Sequence, residues 1–178
     1  WIDDGAIIDA TDVTVKAKDE TDIVSVAGAV SGGGSTGVGA GLDVGVVVKD
    51  TKAWIGAGTG AAGVTASGDV EVWADADEFI VLVSANAGIG GSTGVVGSIA
   101  VFTVVTETQA YLDAYADIDA GGNVTVKATD DLTAAVAAGS VSGGGSAGVG
   151  VSAVVFVHVN TVEAYVGAYA DVVTAGTS

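Results

Sequence analysis

Hydrophobic and polar positions alternate along much of this chain with a period of two. The clearest run is Asp69-Val70-Glu71-Val72-Trp73-Ala74, where Val70 and Val72 point one way and Glu71 and Trp73 the other. Successive side chains of a strand leave opposite faces, so the run reads as a strand with one buried and one wet face. Asn123 to Ala128 repeats the pattern. Shorter strands are predicted around Ala53-Trp54-Ile55 and Val64-Thr65-Ala66. An acidic stretch follows each alternating strand and reads as a corner: Lys18-Asp19-Glu20-Thr21-Asp22, Asp75-Ala76-Asp77-Glu78 and Thr129-Asp130-Asp131. Longer strands are predicted next, over Ile23 to Val30, Phe79 to Ala87 and Leu132 to Val141. A glycine run then turns the chain, and a last long strand, such as Val149 to Val159, returns. These long strands carry small or apolar residues at both parities, which predicts that both faces are covered. No stretch reads as a helix, because the alanine-rich pieces are short and close to glycine.

The elements recur. Ser31-Gly32-Gly33-Gly34-Ser35 returns as Gly88-Ile89-Gly90-Gly91-Ser92 and as Ser142-Gly143-Gly144-Gly145-Ser146. Asp12 aligns with Asp69 and Asn123, and the same offsets carry Trp54 to Tyr111 and Tyr165 without a gap. Length varies only between each aromatic and the following Asp or Asn, as at a loop between strands of fixed register. Trp1, Trp54, Tyr111 and Tyr165 open the units, giving one continuous array of units 1–53, 54–110 and 111–164 and a partial unit 165–178. The first unit departs from the pattern, with Ile7-Ile8-Asp9-Ala10 where Val-x-Ala is expected, which weakens the register there.

The fold class is all-β, with two architectures that fit. A parallel β-solenoid (β-helix) with coils of about 18–20 residues would place three coils in each repeat, stacked about 4.8 Å apart. An antiparallel β-hairpin sandwich or barrel would instead pair the two strands flanking each glycine turn. The gapless internal register favours the solenoid. So does the absence of Pro, which would break long hydrogen-bonded ladders.

Composition narrows the chemistry. The 178 residues include 29 Gly, no Cys and no Met, and the hydrophobic 49% is mostly Ala and Val. Such a core is thin, since only small side chains fill it. The net charge of −17 argues against nucleic acid, whose phosphates need cationic partners, and against anionic lipid. It favours solubility and divalent cations. Without Cys there is neither disulfide nor thiol chemistry. The opening Trp1-Ile2-Asp3-Asp4 has no basic region before an apolar run, so no signal peptide is read there; the chain reads as a piece of a longer protein. Phe79 to Thr106 and Leu132 to Thr161 carry no charge, but glycine interrupts both, and no membrane insertion is expected.

Ala53-Trp54-Ile55, Val64 to Ala74 and Ser142 to Gly150 together resemble the repeats of giant bacterial surface and secreted proteins, the filamentous-haemagglutinin-like and leukotoxin-type filamentous adhesins. The resemblance implies a β-helical shaft, exported to the cell surface or beyond, serving adhesion or aggregation. It assigns no catalytic residue.

Candidate chemistry is sparse. His158, the one histidine, aligns with Val47 and Val104, and no nucleophile or buried carboxylate lies near it in sequence to build a triad. It reads as a polar group on a solvent-exposed or partly covered face. Gly58-Thr59-Gly60-Ala61-Ala62-Gly63 matches G-x-G-x-x-G but opens no helix, as a dinucleotide site would require. The carboxylates recur with the repeat instead of gathering in one cleft, so no enzyme is expected. The acidic stretch is the candidate metal site: Asp19, Glu20, Asp75, Asp77, Asp130 and Asp131 offer the oxygens calcium takes, against the plainer reading of a solvated corner. Trp1, Trp54, Tyr111 and Tyr165 form the candidate aromatic ladder, for packing between coils or for stacking on glycans. Three functions follow as expectations: a non-enzymatic structural segment of an extracellular adhesin or fibre forming a stiff acidic rod, a calcium- or glycan-binding module, or a self-assembling filament subunit. The expected partners are neighbouring repeats or identical subunits.

Overall fold

A computed structural model describes residues 1–58 and 63–175. Each repeat forms one coil of three strands. A short strand comes first: β1 (Ile8–Ala10), β4 (Val64–Ala66), β7 (Asp117–Ala120) and β10 (Asp171–Thr174). A long outgoing strand follows: β2 (Val13–Gly33), β5 (Val70–Gly90) and β8 (Val124–Gly144). A long return strand closes the coil: β3 (Thr36–Ile55), β6 (Thr93–Leu112) and β9 (Ala147–Val166). Like strands of successive coils pair in parallel, giving three sheets in the orders β1-β4-β7-β10, β2-β5-β8 and β3-β6-β9. The protein is a parallel β-solenoid.

The expectation of three coils per repeat is corrected. Val13 pairs with Val70 and Val70 with Val124, so one coil consumes the whole repeat. The two strands around each glycine turn do face each other, but they lie in different sheets, and their ladders run to the next coil and not across the turn. The hairpin alternative is thereby excluded. The first repeat also keeps its register, with Ile8 opposite Val64 and Ala10 opposite Ala66.

In cross-section each coil is a three-sided base extended into a long two-sheet blade. Twenty residues at about 3.3 Å each make the blade about 65 Å long. The base holds the main core: Val70, Val72, Ala74, Ala110, Leu112 and Ile118, with their stacked equivalents. A second cluster, Ile80, Leu82, Phe102 and Val104, fills the middle of the blade. Beyond it, apart from Val96, the interior of the middle coil holds small or polar residues. Ser84, Asn86 and Ser98 are buried there, and a Cβ on Gly41 would collide with the Asn86 side chain. At the tip, a Cβ on Gly33, Gly90 or Gly144 would fall on the carbonyl oxygen of Thr36, Thr93 or Ala147. The turn is too tight for any other residue, which is why the glycine run recurs.

Two further expectations fail. No corner forms at the acidic stretches, because β2, β5 and β8 run straight through them. Nor are both faces of the long strands covered. Their outer faces lie open: Val30 is 87% exposed, Val48 74% and Leu42 69%.

Candidate functional site

Alternation through the acidic stretch sorts its residues onto two faces. Counting in steps of two from Val13 and Val70, which face the core, puts Asp19, Thr21, Ala76 and Glu78 inside and Glu20, Asp75 and Asp77 outside. Register then stacks Glu20, Asp77 and Asp131 in one outward column, one coil apart, with Asp75 between Lys18 and Thr129. Lys18 forms an ion pair with Glu20, and that hydrogen bond, with the carboxylate's charge, raises the lysine pKa. Thr129 donates to Asp75 at 2.6 Å. The six predicted ligands are therefore not gathered in one place: Asp19 and Asp130 lie inside, and the other four outside. Among the described residues, no three His, Asp or Glu side chains converge in a way that could hold a metal ion.

The inward members build a polar layer across the blade, between the two apolar clusters. Lys49, entering from β3, lies 2.6 Å from Asp19 and 2.5 Å from Glu78. Glu78 is fully buried, and its second oxygen has no partner. Burial pushes the Glu78 carboxyl above its ordinary range, against the pull of Lys49 and with the help of the nearby Asp130 charge. The hydrogen bond from Lys49 holds Asp19 below its ordinary range. Burial pulls on the Lys49 ammonium, but its two carboxylates outweigh that and hold it above the usual value. One coil further on, the layer becomes uncharged except for Asp130, which accepts from Thr108 at 3.0 Å and from Asn160 at 3.1 Å. Thr106 donates to Asn160 at 3.1 Å and lies 3.3 Å from His158 Nε2. His158 is thus partly covered and stands in register with Val104. A buried ion pair of this kind contributes little net stability, since desolvation offsets the attraction, yet losing one partner strands a charge. Its chemistry is that of a register pin.

Trp1, Trp54, Tyr111 and Tyr165 stack face to face, with ring centroids 5.0, 5.9 and 5.0 Å apart and planes within 5°. Neighbouring rings occupy each other's faces in the interior of the ladder, which leaves edges, not faces, to any sugar. Two stacks were not foreseen from sequence: Phe102 on Phe156, and Tyr115 on Tyr169. The tyrosine pair sits at a left-handed corner, with φ of 62° and 60°, that the first coil fills with Gly5 at 70°. Trp73, on the outer face of β5, lies beneath Lys16 at 3.6 Å and near Lys127 at 5.0 Å, its register neighbours. At the corner before each outgoing strand, Asp12 Oδ1 accepts from the Asp69 amide at 2.9 Å and Asp69 Oδ1 from the Asn123 amide at 2.7 Å. Residues 59–62 of the G-x-G-x-x-G match lie outside the described residues. No family model, no curated protein and no solved structure matches the chain.

Proposed function

We propose that the chain is a non-enzymatic structural segment of a large extracellular bacterial adhesin or fibre, whose coils stack into a stiff acidic shaft. One observation carries the reading: a single register runs through every long strand from coil to coil, so each part of a coil is built to support the next. The ladders of aromatics and of corner Asp and Asn residues serve that stacking. The resemblance to filamentous adhesin repeats points to the same task and to an exported location. Three coils at about 4.8 Å each rise only about 14 Å, so a shaft needs further coils, from more repeats or from other copies. The open edges of the end strands β2, β3, β8 and β9 fit either source, since unpaired ladders template further strands. Electron microscopy of the purified chain tests both readings. Elongated particles whose length grows with concentration are expected if copies supply the further coils, and compact monodisperse particles if one longer chain does. Rapid proteolysis of the long strands in either form would overturn the stiff shaft.

A further inference from the structure

The blade is inverted relative to an ordinary sandwich. Inside its outer half lie Ser25, Ser31, Asp43, Ser84, Asn86 and Ser98; outside lie valines. The inversion is strongest on the outer face of β3-β6-β9. Register aligns Val38 with Val95 and Val149, Val44 with Val101 and Val155, and Val48 with Val105 and Val159. Leu42 and Ile99 continue the surface, and many of these side chains are half exposed or more. From Val38 to Val48, and at the stacked positions, the outward residues include no charge. Charges begin only at the base side, with Asp50, Lys52, Glu107 and Glu163.

We propose that this face is the pairing surface for a second copy of the chain, with two blades closed face to face and pointing in opposite directions. It goes beyond the axial shaft, because it joins coils side by side instead of end to end. Three strands about 4.8 Å apart and about 35 Å long present roughly 500 Å² per copy, or about 1,000 Å² for two, the size at which association becomes specific. Each added coil enlarges it. Flat sheets carrying β-branched side chains pack at about 10 Å separation. The reversed orientation follows from charge. Side by side in the same direction, Asp50 and Glu107 would meet their own counterparts; reversed, they lie over the uncharged Thr36 and Thr93 end of the partner. A two-fold axis parallel to the shaft produces this arrangement and makes the contact self-complementary. An anionic lipid surface fits less well, since the net charge is −17.

Val101, outward at the middle of the middle coil, is the test position. Val101→Lys lowers the net negative charge, so a loss of pairing comes from the contact itself, where the ammonium is buried and lies near its two-fold mate. Sedimentation equilibrium is expected to give a face-paired dimer or its multiples for the parent chain and a dissociation constant roughly a hundredfold higher for Val101→Lys, where the ammonium would be buried. Val83→Lys, on the opposite outer face, is expected to associate as the parent does, with unchanged circular dichroism in both variants. As the chain has no cysteine, Val101→Cys treated with a short bis-maleimide gives cross-linked dimers only if the faces meet. End-to-end stacking keeps these positions apart. A monomeric parent chain, equal effects of the two lysines, or no cross-link overturns the proposal. So does recruitment to phosphatidylcholine vesicles in place of self-association. Elongated particles with no cross-link would leave the shaft standing and remove only the lateral contact.

Discussion

Glu78 and Asp19 flank the same lysine yet respond to pH with opposite signs. Burial raises the Glu78 pKa, so the folded chain holds that proton more tightly than the unfolded chain. Its contribution to stability is full below the ordinary glutamate value and is lost as pH rises through the folded value. The Asp19 pKa is lowered by Lys49, so its contribution is present above the ordinary aspartate value and is lost as pH falls through the folded value. Glu78→Gln should therefore remove the first dependence and keep the second. Urea unfolding is expected to show a gain in stability at neutral pH that shrinks to nothing in acid below the ordinary glutamate range. A loss at neutral pH that vanishes in acid would mean instead that the carboxyl is stabilised as an ion. The inward place of Glu78 was legible in the sequence, since it stands eight residues after the inward Val70, at the same parity. It was missed because three acids within four residues, Asp75, Asp77 and Glu78, suggest a turn. What no local pattern carries is the origin of the compensating charge, as Lys49 lies in the preceding coil and in the opposite sheet.

The long strands depend on how closely two sheets approach at the blade tip. Gly90 and Gly139 separate the reasons for glycine there. A Cβ on Gly90 would run into the Thr93 carbonyl and the Gly37 backbone, whereas a Cβ on Gly139 meets nothing within 4 Å. Gly90→Ala is expected to cost more than about 2 kcal/mol in chemical denaturation, and Gly139→Ala to leave stability unchanged or slightly raised. Equal effects would mean that the turn relaxes around a side chain. The turn itself was plain from the glycine runs, and so was the alternation of β5. Strand length was not. The sequence breaks at its acids, while the backbone does not, because a strand tolerates charge on either face when the inner charges are paired. The pairing of Gly45 with Phe102 is similar: the glycine takes the place a side chain would need beside that ring. Each looks arbitrary in its own repeat and is explained only by the other.

For the whole molecule, register turns composition into columns. A net charge of −17, stacked so that Glu20 lies over Asp77 and Asp77 over Asp131, is self-repulsive at each step. Sodium chloride should raise the melting temperature, as screening weakens like-charge contacts between exposed groups. Calcium chloride at equal ionic strength is expected to raise it equally; a clearly larger rise would identify a site in the column. The scale of the coil was misjudged from sequence for a related reason. Residues that stack directly are those one full repeat apart, so the gapless offset between Val13 and Val70 was itself the coil length. Strand lengths familiar from narrower solenoids suggested cutting it in three.

A blade about 65 Å wide and about 10 Å thick has the section of a ruler. Resistance to flexing grows with the square of the dimension in the plane of the bend, for a given cross-sectional area. The assembled coils should therefore yield about forty times more readily across the flat than along it. Such a ribbon can follow a curved wall while refusing to sway sideways.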